Sequence, residues 1–245
     1  MYSEMREDQG GVRPEYASVA RWIEESGVDA LLARRAEAEA LFRKVGITFA
    51  VYGEGGDPDR LIPFDIVPRV FSAKEWERIE RGSIQRARAL NAFLGDVYGA
   101  GEIFEAGVVP REVILANEAF QPAMRGVAPP GGVWSHITGV DLVRCGPDDI
   151  YVLEDNCRTP SGISYVLETR EVMSRMFPAL FADGSIRPVD GYAEMLAEAI
   201  AEVAPPACEG APRMAILTPG HFNSAYYEHS FLADLMGIDL VEGRD

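Results

Sequence analysis

Lysine is scarce in this sequence, with Lys44 and Lys74 its sole examples. Proteins that grip nucleotide phosphates commonly place a lysine beside a glycine-rich loop after a strand. Here Lys44 falls at the end of a predicted N-terminal helix and Lys74 in the first turn of another, and neither G-x-x-x-x-G-K-[ST] nor G-x-G-x-x-G occurs. P-loop and Rossmann phosphate binding therefore have no support. Cysteine is equally sparse. Cys145, Cys157 and Cys208 are odd in number and lack C-x-x-C spacing, which argues against a disulfide framework or a thiolate zinc site. No apolar run is long enough for a signal peptide or a membrane span, so the expected location is the cytoplasm, with no membrane partner. Basic charge is outweighed as well. A formal net charge of -16 repels polyanions and excludes nucleic acid as an expected partner.

What remains is the composition of an ordinary globular chain, 47% hydrophobic and 25% charged over 245 residues, sufficient for one large domain or two small ones. Apolar residues at helical spacing (Val19, Trp22, Ile23, Leu31, Leu32, Leu41, Phe42) predict two helices between Glu15 and Lys44, broken near Gly27. From Ile47 to Phe71 the segments ITFAVYG and LIPFDIVPRVF read as strands, with Pro63 and Pro68 favouring an edge or irregular path. Ser72 with Glu75 forms a capping box, and the helix it starts runs through Ile84 and Leu90 towards Tyr98. Loops and short elements follow, up to the turn signal Pro129-Pro130-Gly131-Gly132.

Two apolar strands, VWSHITGVDLVRC and IYVLEDN, flank the turn-forming residues Gly146-Pro147-Asp148-Asp149. A symmetric hairpin would set Cys145 opposite Ile150, Val143 opposite Val152 and Asp141 opposite Glu154. With period-two alternation, Asn156 shares the face of Glu154, while Leu142 and Leu153 turn to the other side as core residues. Directly opposed carboxylates repel unless a cation lies between them. A hard divalent ion such as Mg2+, which binds one or two carboxylates and keeps water and phosphate oxygens, suits two acids and one amide. The alternative is a solvated hairpin in another register, with its polar residues scattered.

Helices are expected from about Ser164 to Phe177 and from Asp190 to Val203, and Pro205-Pro206 to Pro212 marks a linker. MAILTP, SAYYEHSFLADLMG and IDLVE then form a β-α-β unit, which implies a parallel pairing and a second lobe. Its loop Thr218-Pro219-Gly220-His221 leads from a strand into a helix, a position where α/β folds bind ligands, and makes His221 and Asn223 candidates for touching an acyl-acceptor substrate. The fold class is thus mixed α/β. Cys157 has no histidine beside it by local spacing and reads as a small side chain, and Arg86 and Asn91 read as structural hydrogen-bonding groups.

The run Glu154-Asp155-Asn156-Cys157-Arg158-Thr159-Pro160-Ser161-Gly162, with Asp141 before it, resembles the E-x-N metal motif of ATP-grasp ligases. VYGEGGDPDRLIPFDIVPRV, QRARALNAFLGDVYG, HITGVDLVR, YVLEDNCRTPSGISYVLETREVMSRMFP and YYEHSFLADLMGIDLVEGRD are similar to successive blocks of the circularly permuted ATP-grasp family, related in plan to glutathionylspermidine synthetases. The resemblance implies an ATP-grasp-like antiparallel sheet with flanking helices. It further implies Mg2+ held by Asp141, Glu154 and Asn156, ATP as cofactor with Ser161 and Gly162 at the nucleotide, and small-molecule or peptide carboxylates and amines as substrates. Many such ligases carry an arginine two residues before the first metal aspartate, where this chain has Gly139. Arg144 is expected on the opposite face of the hairpin, leaving Arg158 as the candidate catalytic arginine.

Three parts are expected: residues 1–45, an N-terminal helical segment; 46–204, the metal-binding part; and 213–245, the start of a β-α-β lobe. With the phosphate-gripping lysines lacking and family members continuing past Asp245, the chain reads as roughly the first half of a carboxylate-amine ligase. A non-catalytic half-domain serving another polypeptide is the alternative.

Overall fold

A computed structural model describes residues 2–45, 48–50, 59–61, 64–182 and 184–245. Helices α1 (Ala17–Ser26) and α2 (Val28–Val45) meet at Gly27, as the break in periodicity predicts. Strands β1 (Thr48–Ala50) and β2 (Asp59–Leu61) pair antiparallel. The loop between them, with Ile62 and Pro63, lies outside the described residues, so the strand-like reading is met only in part. Phe64 and Ile66 follow as irregular chain pressed into the core.

Helix α3 (Ala73–Tyr98) begins at the predicted capping box. Ser72 Oγ accepts from Glu75 N (3.3 Å), and Glu75 Oε2 accepts from Ser72 N (2.9 Å), satisfying two donors that a helix start otherwise leaves orphaned. Short helices α4 (Glu102–Glu105) and α5 (Arg111–Leu115) lead to the hairpin of β3 (Gly139–Arg144) and β4 (Ile150–Asn156). Helices α6 (Ile163–Met176) and α7 (Tyr192–Ala201) precede β5 (Ala215–Thr218), α8 (Tyr226–Met236) and β6 (Asp239–Glu242). Strands β5 and β6 pair in parallel from Ala215↔Asp239 to Thr218↔Glu242, confirming the β-α-β unit. The result is a mixed α/β fold with small antiparallel and parallel sheets.

The main core joins the N-terminal helices to α6. Tyr16, Val19, Ala38 and Phe42 pack with Phe64, Ile66, Val172, Met173, Met176, Phe177 and Leu180. Phe42 lies 4.7 Å from Phe64 between ring centroids, and Trp22 meets Phe177 edge-on at 4.8 Å, the offset geometries aromatic pairs favour. The Tyr16 hydroxyl, its pKa raised chiefly by burial, accepts from Val70 N (2.9 Å) and ties the irregular segment to α1.

Elsewhere apolar surface stays uncovered. Tyr151 and Leu153 on the hairpin are 59% and 71% exposed, and Leu217 and Phe222 in the β-α-β unit 70% and 74%. The total accessible surface, 16883 Å², exceeds the roughly 11,000 Å² expected of a compact monomer of this mass.

Candidate metal centre

The hairpin brings Asp141 directly opposite Glu154, as predicted, but by a different path from the turn. Near the turn the pairs are Arg144↔Ile150, Val143↔Tyr151 and Leu142↔Val152, one residue out of the symmetric register. A bulge then inserts one extra residue, Leu153, and restores Asp141↔Glu154, Val140↔Asp155 and Gly139↔Asn156. Cys145 opposite Ile150 and Val143 opposite Val152 are therefore corrected. Bulges recur beside functional sites because they re-aim a side chain without changing its neighbours.

The bulge also reverses the expectation for Leu153. Two residues of a bulged strand face one partner and share its side, so Leu153 emerges with Glu154 instead of entering the core. Leu142, the other residue expected on the core side, is 38% exposed. Leu153→Gln should therefore change stability by less than about 0.5 kcal/mol, the range of exposed substitutions, measured by urea unfolding. A loss of several kcal/mol would place Leu153 back in a core.

One face of the hairpin presents Asp141, Glu154 and Asn156 to solvent, and the other lies on α3. The inward face is tied by ions. Arg144 pairs with Glu75, and Arg86 grips Asp155 through two of its nitrogens, Nε to Oδ1 at 3.0 Å and Nη2 to Oδ2. Burial alone would raise Glu75, but the Ser72 N–H and Arg144 hold its carboxyl below the usual range. Asp155 is likewise held low, by its hydrogen bonds to Arg86. Arg144, on the inward face as expected, also lies over the Tyr2 ring at 5.4 Å, so it is committed to packing.

On the outward face Asn156 Nδ2 donates to Glu154 Oε1 (3.2 Å), so Oδ1 is the amide atom that could meet a cation. Among the described residues no three His, Cys, Asp or Glu side chains gather as a metal cage. The set of two carboxylates and one amide oxygen fits an ion that retains waters and takes phosphate oxygens, the habit of Mg2+.

Gly139 is explained by the same geometry. A Cβ at this position would lie 2.8 Å from Pro160 Cβ and 3.5 Å from Asn156 Cβ. The loop after β4 folds over the spot where many ATP-grasp ligases carry arginine. Arg158 projects from that loop, exposed, with no hydrogen bond or ion pair among the described residues. Gly139→Ala should cost about 1–3 kcal/mol through overpacking, seen as a fall in urea midpoint, and should displace Pro160. Retention of wild-type stability would show that the loop yields freely.

Asn91, from α3, directs most of its amide to the entry to β3. Its Oδ1 accepts from Trp134 N (2.6 Å) and Ser135 N (2.9 Å), and its Nδ2 donates to Ala87 O and Ser135 O. Ser135 Oγ in turn donates to Cys157 O (3.1 Å), joining the chain before β3 to the chain after β4. The structural reading of Asn91 and Arg86 holds. Cys157 itself is a half-buried free thiol, its Sγ 3.8 Å from Asp155 O.

The residue that sequence reasoning passed over is Glu228. It is 5% exposed on α8, and its Oε2 accepts from Gly162 N (2.6 Å) and Ser164 N (3.4 Å). A carboxylate there meets the orphan donors and positive end of α6. Gly162 serves as the N-cap with φ 108°, a left-handed conformation that favours glycine. Its N–H is thus directed to Glu228. Ser161, next to it, is exposed. A charged residue inside an apolar helix pattern was the signal available in the sequence.

His221 and Asn223 lie in the β-α-β unit, not on the hairpin. The exposed His221 ring rests on Phe222 at 3.9 Å, and Asn223 Oδ1 accepts from Ala225 N (2.9 Å) in a local turn. His229, from α8, instead reaches Thr218 Oγ1 through Nδ1 (2.9 Å). The structure gathers Asp141, Glu154 and Asn156, sets Arg158, Ser161 and Gly162 on the adjoining loop, and ties that loop to the second unit through Glu228.

A family model, circularly permuted ATP-grasp type 2, matches this chain over residues 68–245. The chain belongs to that family. Among its relatives are an uncharacterized protein of Synechocystis, 45% identical over 244 residues, and one of Mycobacterium tuberculosis, 46% identical over 244. Each match covers all of this chain but 50% and 43% of the relative. A Frankia alni protein named "Putative glutamate--cysteine ligase 2-3" is 43% identical over 244 residues, covering 98% of this chain and 28% of that protein. The chain thus spans half or less of the length of these relatives. Among the described residues no helix is long and apolar enough to cross a membrane.

Proposed function

We propose that this chain carries the metal-binding part of an ATP-dependent carboxylate-amine ligase. The observation that supports it most is the pairing of Asp141 with Glu154 beside Asn156 on the open face of the hairpin. Family membership supplies the ATP-grasp frame, and the name of the Frankia relative points to amide-bond formation between a carboxylate and an amine. Bound Mg2+ would neutralise nucleotide phosphate charge during transfer to the carboxylate. The chain's own contribution is placement.

In this reading Asp141, Glu154 and Asn156 would hold the ion. Arg158, exposed on the adjoining loop, is proposed to steady the anion that develops as the carboxylate oxygen attacks the γ-phosphorus. The bond to the departing ADP breaks, an acyl phosphate forms, and an incoming amine then displaces phosphate to give the amide. Ser161 is the contact proposed for the nucleotide, joined by Gly162 through atoms other than its committed N–H. His221 and Asn223 are proposed for the acyl acceptor. The three parts are 1–45 as a packing segment, 46–204 as the metal-bearing region and 213–245 as the beginning of a second lobe.

Lys44 and Lys74 are both exposed, at the end of α2 and in the first turn of α3, and neither follows a strand and a glycine-rich loop. The phosphate-gripping groups are therefore assigned to further polypeptide, which would also cover Tyr151 and Leu153. Non-catalytic scaffolding is the second reading, favoured by the same exposed surface. The two separate in one assay. The 245-residue chain should release no ADP from ATP with a mixture of amino-acid carboxylates and amines, while a protein of the relatives' full length that includes it should do so and lose the activity in Glu154→Gln. ADP release by the short chain, or an unaltered rate in the full-length variant, would reject this assignment.

A further inference from the structure

We infer that Arg86 is a positioning residue for the metal site, setting the direction of Glu154 and Asn156 by clamping the residue between them. The inference rests on the metal reading above. Side chains alternate along a strand, so Asp155 faces α3 while its two neighbours face solvent. Arg86 holds both oxygens of Asp155, Nε to Oδ1 at 3.0 Å and Nη2 to Oδ2. A two-point grip by a planar guanidinium fixes orientation as well as distance. It therefore sets the roll of β4 about its own axis, and with it the aim of the flanking ligands.

The clamp sits where the hairpin is least able to fix itself. The bulge at Leu153 interrupts the β3·β4 ladder immediately before Glu154, and β4 ends two residues later at Asn156. A two-stranded hairpin is marginal by itself. Arg78 makes a comparable tie between α3 and the hairpin, donating to Asp148 Oδ1 (3.2 Å) and Asp148 O (2.8 Å), but at the turn, away from the ligands. It provides an internal control.

Electrostatics and positioning predict opposite signs. Deleting the Arg86 cation near a cation site should tighten metal binding if charge alone mattered. Loss of a clamp should weaken it, by roughly tenfold or more, as for other groups that orient metal ligands. The probe is Mn2+ alone, with free ion counted by electron paramagnetic resonance in the 245-residue chain. Arg86→Ala should raise the Mn2+ Kd about tenfold, Arg86→Lys, which keeps the charge but not the fork, by a smaller factor, and Arg78→Ala by less than about twofold. Should Arg86→Ala not fold, Arg86→Lys carries the comparison. An unchanged or lower Kd in the folded Arg86 variants, with binding still lost in Glu154→Gln, would overturn the inference and leave the metal reading standing. No Mn2+ binding by wild type, or binding unaffected by Glu154→Gln, would remove both.

Discussion

Glu154→Gln should leave the apo chain at least as stable as wild type yet remove most of its thermal stabilisation by Mg2+. The pair of opposed carboxylates makes both halves of this result follow from one geometry. Without metal, Asp141 and Glu154 repel across the sheet, and an isosteric amide relieves that repulsion. It also keeps an oxygen to accept from Asn156 Nδ2, which now donates to Glu154 Oε1 at 3.2 Å. In the proposed reading the same pair binds the metal, and a ligand specific to the native state stabilises it by RT ln(1 + [L]/Kd). At ten times Kd this is about 1.4 kcal/mol, or roughly 3–6 °C for a chain of this size. Thermal unfolding with and without Mg2+ reads the shift directly, and an undiminished shift in Glu154→Gln would reject the role of Glu154.

Phe42→Ala should have the largest effect on stability, about 3–5 kcal/mol, because it removes a large ring from a site unable to collapse around the loss. Phe42 is 2% exposed, packed on Phe64 and set between α2 and the α6 side of the core. Residues on α1, α2, the irregular segment and α6 converge there, so a cavity would loosen the frame on which the hairpin loop rests. Chemical denaturation should show a lower midpoint with an unchanged slope, and a loss under about 1 kcal/mol would mean that the helical segment packs loosely on the rest.

The helices were legible because their signals are local. Gly27 breaks the periodicity, Ser72 and Glu75 sit at capping-box spacing, and the alternation of apolar segments from Met214 to Glu242 specifies a β-α-β unit. The carboxylate pair was legible for a less secure reason. Counting from the turn gave the right partner for Asp141, although the register differs near the turn and is restored by the bulge at Leu153. A bulge leaves no clear mark in a run such as Tyr-Val-Leu-Glu, so the exposure of Leu153 could not be read there. Contacts across long separations were hidden too. The grip of Arg86 on Asp155 and the capping of α6 by Glu228 join residues 69 and 66 positions apart. Gly139 belongs with these, since its lack of a side chain makes sense only once Pro160 is seen folded over it.

The most direct test of the metal centre is to map where Mn2+ binds by paramagnetic broadening of backbone amide signals. Broadening should begin at Asp141 and at Glu154 through Asn156, extend next to the loop bearing Arg158, and vanish in Glu154→Gln. Amide signals that broaden first beside the exposed acidic residues of α2, with those of the hairpin unaffected, would contradict the assignment of Asp141, Glu154 and Asn156 as the metal ligands.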